Sequence, residues 1–244
     1  PLQVELDFIK LKSHTSKNTP IEHMKAFYID FELIRKKKYD GLIITGAPVE
    51  QMDYKDVNYW DEITGIFDWA KTNVTSTFFI CWSAQAALYH YYGVPKHPLD
   101  KKMFGVFEHT VNDPLNPIFR GFDDVFYAPH SRYTEVRRED IEKVSDLTIL
   151  SESEDAGVYM VMARNGREFF VTGHSEYSPE TLDTEYKRDV KKGLSIEIPR
   201  NYYKDNNPKN SPVVRWRSHA NLLFLNWLNY FVYQETPYDI ESIH

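Results

Sequence analysis

The chain has 244 residues, 42% of them hydrophobic, enough for one sizeable α/β core, and a net charge of −7. The acidic balance argues against nucleic acid as the main partner, no apolar run reaches the length of a membrane span, and no stretch reads as a signal peptide. The single cysteine, Cys81, excludes an internal disulfide and suits a reducing compartment, so the expected location is the cytoplasm.

The predicted elements begin at once. Val4 to Ile9 reads as a strand, so the chain enters on Pro1 as if part-way into a domain. A helix is predicted from Pro20 to Lys37, with Asn18 or Thr19 as cap and Arg35-Lys36-Lys37-Lys38 at its carboxyl end. Gly41 to Thr45 is a short apolar strand of the kind buried in parallel sheets, and Gly46-Ala47-Pro48 turns the chain. A helix with Ile63, Ile66, Phe67 and Ala70 on one face leads to a strand over Phe78 to Cys81. The next helix ends near Tyr92-Gly93. From Phe104 to Phe170 the pattern changes to short β-type runs, Asp124–Tyr127, Leu147–Leu150 and Val158–Val161, which predict antiparallel extensions. Glu168 to Thr172 is another buried strand, followed by helices over Pro179 to Lys191 and Trp216 to Tyr233 with a Pro/Asn-rich loop between. Alternating strands and helices predict an α/β fold, a mostly parallel sheet with helices on both faces. No repeat or linker divides it, so residues 1–244 are expected to form a single domain.

Three predicted strands end in chemistry-bearing residues: Thr45-Gly46-Ala47-Pro48, Ile80-Cys81-Trp82 and Thr172-Gly173-His174-Ser175-Glu176. Ligands of open parallel sheets bind beyond the carboxyl ends of strands, so the three ends can share one crevice. A lone cysteine is usually a small core residue. Cys81, however, stands at a strand-to-helix corner, where a thiol gains exposure and the helix terminus stabilises its thiolate. A histidine beside it, such as His174, can move the proton, and a carboxylate two residues on, Glu176, can fix the ring's tautomer. The backbone N–H groups of Trp82 and Ala47 are candidates for holding an oxyanion.

Five ordered segments carry a resemblance: Thr45-Gly46-Ala47-Pro48, Cys81-Trp82-Ser83-Ala84-Gln85-Ala86-Ala87-Leu88, Tyr127-Ala128-Pro129-His130-Ser131-Arg132-Tyr133, Val171-Thr172-Gly173-His174-Ser175-Glu176-Tyr177 and Trp216-Arg217-Ser218-His219-Ala220-Asn221-Leu222-Leu223. From Pro1 to about Ile240 the chain resembles the homoserine O-acyltransferase family of methionine biosynthesis, the branch labelled homoserine O-succinyltransferase, related in fold to class I glutamine amidotransferases. The resemblance implies a ping-pong acyl transfer. Cys81 attacks an acyl-coenzyme A, His174 serves as base and acid with Glu176 behind it, and the hydroxyl of L-homoserine takes the acyl group. It implies substrate-binding roles for Lys102, Ser131 and Arg188, no metal and no bound cofactor beyond the acyl-coenzyme A cosubstrate. Read without it, Lys102 and Arg188 are solvated charges and Ser131 a loop hydroxyl. His109, His130 and His219 are taken as structural or surface histidines.

The resemblance also makes the position of Glu50 the donor-sorting one, glycine going with succinyl and glutamate with acetyl, so the expected donor is acetyl-coenzyme A. A glutamate there removes volume and opposes the succinyl carboxylate with like charge. Two departures stand out. Family members carry a longer N-terminus with a first strand and helix, so that piece is expected as a separate fragment or its place taken by another chain. The aromatic C-terminal helix leaves a face for a second copy of the chain. The amidotransferase elbow Gly-x-Cys-x-Gly is absent, Phe79 and Ser83 standing at its glycine positions. A glutamine amidotransferase-like cysteine hydrolase, or a binding protein with a dead site, are the rival readings.

Overall fold

The computed structural model describes residues 2–13, 28–237, 239–240 and 243. A two-stranded parallel ribbon pairs β1 (Phe8–Lys10) with β2 (Tyr28–Asp30), followed by one helical turn, α1 (Phe31–Ile34). Here the structure departs from expectation. Val4 and Leu6 are exposed, so the first strand is shorter than predicted. The Pro20–Lys37 helix is replaced at its end by β2 and α1, while its residues 20–27 lie outside the described residues. The physical reason is pairing: Tyr28 and Ile29 take Phe8 and Ile9 as register partners, and such residues favour strands when a partner strand is present.

The main sheet has seven strands: β3 (Tyr39–Ile44), β4 (Val74–Ile80), β5 (His97–Val111), β6 (Val125–Glu135), β7 (Leu147–Ser153), β8 (Gly157–Ala163) and β9 (Glu168–Val171), in spatial order β3-β4-β9-β8-β7-β5-β6. It is mixed. The pairs β3–β4 and β4–β9 are parallel, and the rest run antiparallel, as the Pro- and Gly-punctuated middle of the chain predicted. The helices are α2 (Trp60–Asn73), α3 (Trp82–Tyr92), α4 (Arg138–Ile141), α5 (Thr181–Lys191) and α6 (Arg217–Asn226), the last continuing as a π-helical segment over Trp227–Tyr233.

Strand β4 shows why the sheet must be covered on both faces. All seven of its residues are buried, and neighbouring side chains point to opposite faces. Phe79 stacks on Phe170 of β9 at 5.1 Å and packs with Phe67 of α2 and Leu88 of α3. Phe78 turns the other way, toward Phe169, Trp227 and Phe231. Trp82 to Leu88 are buried without a break, so α3 is embedded in the core. Gly93 ends it at φ +70°, its N–H returning to the carbonyls of Leu88 and Tyr89. Among the described residues no helix is long and apolar enough to cross a membrane.

Candidate active site

The parallel strands β3, β4 and β9 all run toward the same end of the sheet, and the three chemistry-bearing turns follow from them. Cys81 sits between β4 and α3 with φ 56° and ψ −115°. A non-glycine residue held there is strained, by about 1–3 kcal/mol, and persists only if its surroundings fix it. They do. The Cys81 N–H donates to the Val171 carbonyl at 2.7 Å, and the Cys81 carbonyl accepts from Gln85 N–H at 3.2 Å. Ser83 Oγ accepts from Ile80 N–H at 2.9 Å and donates to the Ile44 carbonyl at 2.6 Å, tying the ends of β3 and β4 to the elbow. Ser83 thus has a structural use where the amidotransferase pattern has glycine. One expectation is corrected: the corner does not expose the thiol, since Cys81 is only 4% exposed.

Gly46 explains how β3's turn reaches Cys81. A Cβ there would stand 3.1 Å from Cys81 Cβ and 3.6 Å from Trp82 N. The Gly46–Ala47 turn therefore lies directly against the first backbone nitrogen of α3.

His174 follows β9. Its N–H donates to the Pro129 carbonyl at 2.8 Å, its Nδ1 lies 2.6 Å from Glu176 Oε1, and its ring stacks on Tyr177 with centroids 4.1 Å apart. The Cys81 sulfur acts on the imidazole's charge. Burial opposes its charge, but the Cys81 sulfur and then Glu176 outweigh burial and push it up to about 10. Gly173 lets this turn seat: a Cβ would come within 2.8 Å of Tyr159 Cε2 and 3.0 Å of His130 Nε2 and the Pro129 carbonyl. Beneath it His130 and His109 are fully buried, their Nε2 atoms 3.0 Å apart, and burial pushes both down, His109 to about 3. His219 lies 3.3 Å from Asp123.

Lys102, Ser131 and Arg188 are far apart in sequence and meet at one helix. Lys102, with a side chain only 8% exposed, reaches Glu185 Oε2 at 3.2 Å and Asp189 Oδ2 at 3.4 Å, over the Phe104 ring. Ser131 Oγ donates to the same Glu185 oxygen, and Tyr177 OH donates to the other at 2.9 Å. Arg188 Nε donates to Asp189 Oδ1 at 2.7 Å, with its side chain 52% exposed at the rim. Sequence reasoning missed Glu185. The available signal was its spacing, four residues before Asp189 and three before Arg188 on one helix.

Glu50 follows β3's turn. Its Oε1 accepts Tyr133 N–H at 3.1 Å. Burial raises its pKa, offset in part by that N–H and then by Lys102, Arg132 and His174. Lys96 Nζ donates to the Glu50 and Met52 carbonyls at 2.6 and 2.5 Å and fixes the loop. Arg132, also unforeseen, is buried beneath. Among the described residues no group of three or more His, Cys, Asp or Glu side chains is arranged to hold a metal ion. The arrangement suits nucleophilic acyl transfer: a cysteine fixed in a strained corner, a histidine held by a carboxylate and a charged cradle for a small polar acceptor.

Residues 1–238 match the family model described as homoserine O-succinyltransferase. The chain is 75% identical to a homoserine O-acetyltransferase of Bacteroides thetaiotaomicron over 243 residues, covering 100% of this chain and 80% of that one. It is 62% identical to a homoserine O-acetyltransferase of Brevibacillus brevis, covering 99% of this chain and 79% of that one. Among solved structures, a glutamine amidotransferase of Thermotoga maritima aligns with a TM-score of 0.56 at 11% identity, over 95% of this chain and 100% of that one. One from Methylobacillus flagellatus aligns at 0.56 and 11%, over 85% and 86%. At such identities the likeness is one of fold.

Proposed function

We propose a reaction for this site on a settled premise: the chain belongs to the homoserine O-succinyltransferase family. The proposed activity is homoserine O-acetylation, the transfer of acetyl from acetyl-coenzyme A through a Cys81 thioester to the hydroxyl of L-homoserine. The observation that carries it is the group Cys81, His174 and Glu176: a strained cysteine whose sulfur raises the pKa of an imidazole that a carboxylate holds at 2.6 Å. The names of the relatives, at 62% and 75% identity, support the acetyl donor. So does Glu50, a buried carboxylate in the place where a succinyl tail would need room and positive charge.

The charges give the order of steps. The Cys81 thiolate attacks the thioester carbonyl, and the oxyanion takes the N–H groups of Trp82 and Ala47. Collapse expels coenzyme A thiolate, which leaves with the proton of the His174 imidazolium. The acylated sulfur no longer carries charge, so the interaction that kept His174 protonated is gone and burial favours neutral imidazole. His174 is then the base for the homoserine hydroxyl. The hydroxyl oxygen attacks the acyl-enzyme, and collapse restores thiolate and imidazolium with O-acetylhomoserine as product. The homoserine carboxylate is assigned to Arg188, a planar donor at the rim, with Lys102 behind it. Glu185, already an acceptor for Lys102, Ser131 and Tyr177, is assigned the substrate ammonium. The lone buried thiol suits a reducing compartment, and the cytoplasm is the proposed location.

The test is an intact mass of the protein mixed with acetyl-coenzyme A. An acetyl increment mapping to Cys81, discharged by homoserine, is expected. An increment with succinyl-coenzyme A alone moves the assignment to succinyl transfer. Glutaminase activity with no adduct from either donor replaces it with the cysteine-hydrolase reading.

A further inference from the structure

Tyr177 closes the turn that carries His174. Its N–H donates to the His174 carbonyl at 3.2 Å, and its own carbonyl accepts from Trp216 Nε1 at 3.1 Å, an indole buried at the head of α6. The backbone of Tyr177 is therefore pinned, and its side chain makes two contacts. The ring lies on the His174 imidazole, with centroids 4.1 Å apart and planes 19° from parallel. The hydroxyl donates to Glu185 Oε1 on α5 at 2.9 Å.

Each contact meets a need that the neighbouring groups leave open. The torsion that turns an imidazole about its Cβ–Cγ bond is broad, so a single hydrogen bond does not fix the plane of the ring. Glu176 holds the ring at Nδ1 alone, and the Pro129 carbonyl holds only the backbone N–H. A stacked face fixes the plane, and with it the direction of Nε2. At Glu185, Lys102 and Ser131 both donate to Oε2. Oε1 takes the Tyr177 hydroxyl, so the carboxylate is held at both oxygens. Burial first, and then Glu185, push the Tyr177 phenol well above its usual range, so it stays a donor.

We propose that Tyr177 is a positioning residue that joins the two halves of the site, its ring setting the plane of the His174 imidazole and its hydroxyl setting the Glu185 carboxylate that receives the substrate ammonium. This rests on the acyl-transfer reading with homoserine as acceptor. The rival role is packing alone. Tyr177 borders the cluster of Phe104, Leu182, Tyr202 and Trp216, and a mere filler there would disturb both half-reactions alike.

The test follows the two half-reactions separately by intact mass: acetylation of Cys81 by acetyl-coenzyme A without homoserine, then discharge of the acetyl group across a homoserine series. Tyr177→Phe keeps the ring and removes the hydroxyl. The homoserine concentration for half-maximal discharge is expected to rise about 10-fold, the scale of one lost hydrogen bond to a charged group, and acetylation to lose far less. Tyr177→Leu removes the ring as well, and acetylation itself is expected to slow by about 10-fold or more as the imidazole plane is released. Losses of equal size in both steps of folded Tyr177→Phe, or a half-maximal concentration that does not move, overturn the proposal. So does a folded Tyr177→Leu chain acetylated as fast as the unaltered one. Where the leucine variant does not fold, the phenylalanine variant decides alone. An unaltered chain that takes no acetyl group is a separate outcome, which removes the acyl-transfer reading and this proposal with it.

Discussion

Replacing Glu50 with glycine should turn the donor preference of this enzyme from acetyl toward succinyl. In the structure the Glu50 carboxylate is buried, bonded to Tyr133 N–H at 3.1 Å, and faced by Lys102, Arg132 and His174. A succinyl tail entering the same space brings a second carboxylate. At roughly 5 Å and an effective dielectric near 20, two like charges repel by about 3 kcal/mol, or about two orders of magnitude in rate. Removing the side chain deletes that repulsion, and its volume is close to what succinyl adds to acetyl, one methylene and a carboxylate. It also frees the Tyr133 N–H and leaves three cationic groups facing the incoming anion. The expected result is a swing of about 100-fold or more in the ratio of kcat/KM for the two donors, measured at saturating homoserine. Glu50→Gln keeps the shape without the charge and should give only part of the swing. The sign of the pH effect follows from the raised pKa: as pH falls, Glu50 gains its proton earlier than an ordinary glutamate, so discrimination against succinyl-coenzyme A weakens toward acid. A donor ratio that Glu50→Gly leaves unchanged refutes the reasoning.

Three further outcomes are expected. Gly173→Ala puts a methyl within 2.8 Å of Tyr159 and 3.0 Å of His130 and a backbone carbonyl, which should displace His174 and lower kcat by about 100-fold in a protein that still folds; an unaltered kcat contradicts the packing argument. With His174 protonated up to about 10, acyl transfer from coenzyme A should fail as pH rises through that value, and Glu176→Gln should bring this alkaline limb to lower pH in a pH–rate profile; an unmoved limb separates Glu176 from the base. His109 and His130 are neutral in the fold with lowered pKa values, so the unfolded chain takes up protons first. Stability present above about pH 6.5 is then lost as pH falls, by about 2 kcal/mol at pH 5 for His109 alone. Urea unfolding across that range should show a shallower pH slope in His109→Gln, and an equal slope counts against the assignment.

What was legible in the chain was what local chemistry dictates. The β4–α3 corner could be read because an apolar run changes to helical spacing at Cys81, and the β9 turn because Gly173 and His174 end another such run. The second strand was not legible. Tyr28 to Asp30 fall inside the stretch read as a helix, Pro20 to Lys37, and become strand only because Phe8 to Lys10 pair with them. Exposure of the thiol was misjudged for a related reason: a corner is exposed only if nothing covers it, and here Gly46 and His174 do.

The sequence by itself singled out Cys81, His174 and Glu176, and the strands and helices that carry them, because each is marked within a few neighbouring residues. Only the tertiary structure decided the cradle and the charge beneath it. Glu185 meets Lys102 across 83 positions and Ser131 across 54, and Arg132 finds its acceptors on His130, Thr134 and Ala156. A carboxylate or guanidinium looks the same in a sequence whether solvated or buried. What separates the two is desolvation and the partners that offset it, and those belong to the packed molecule.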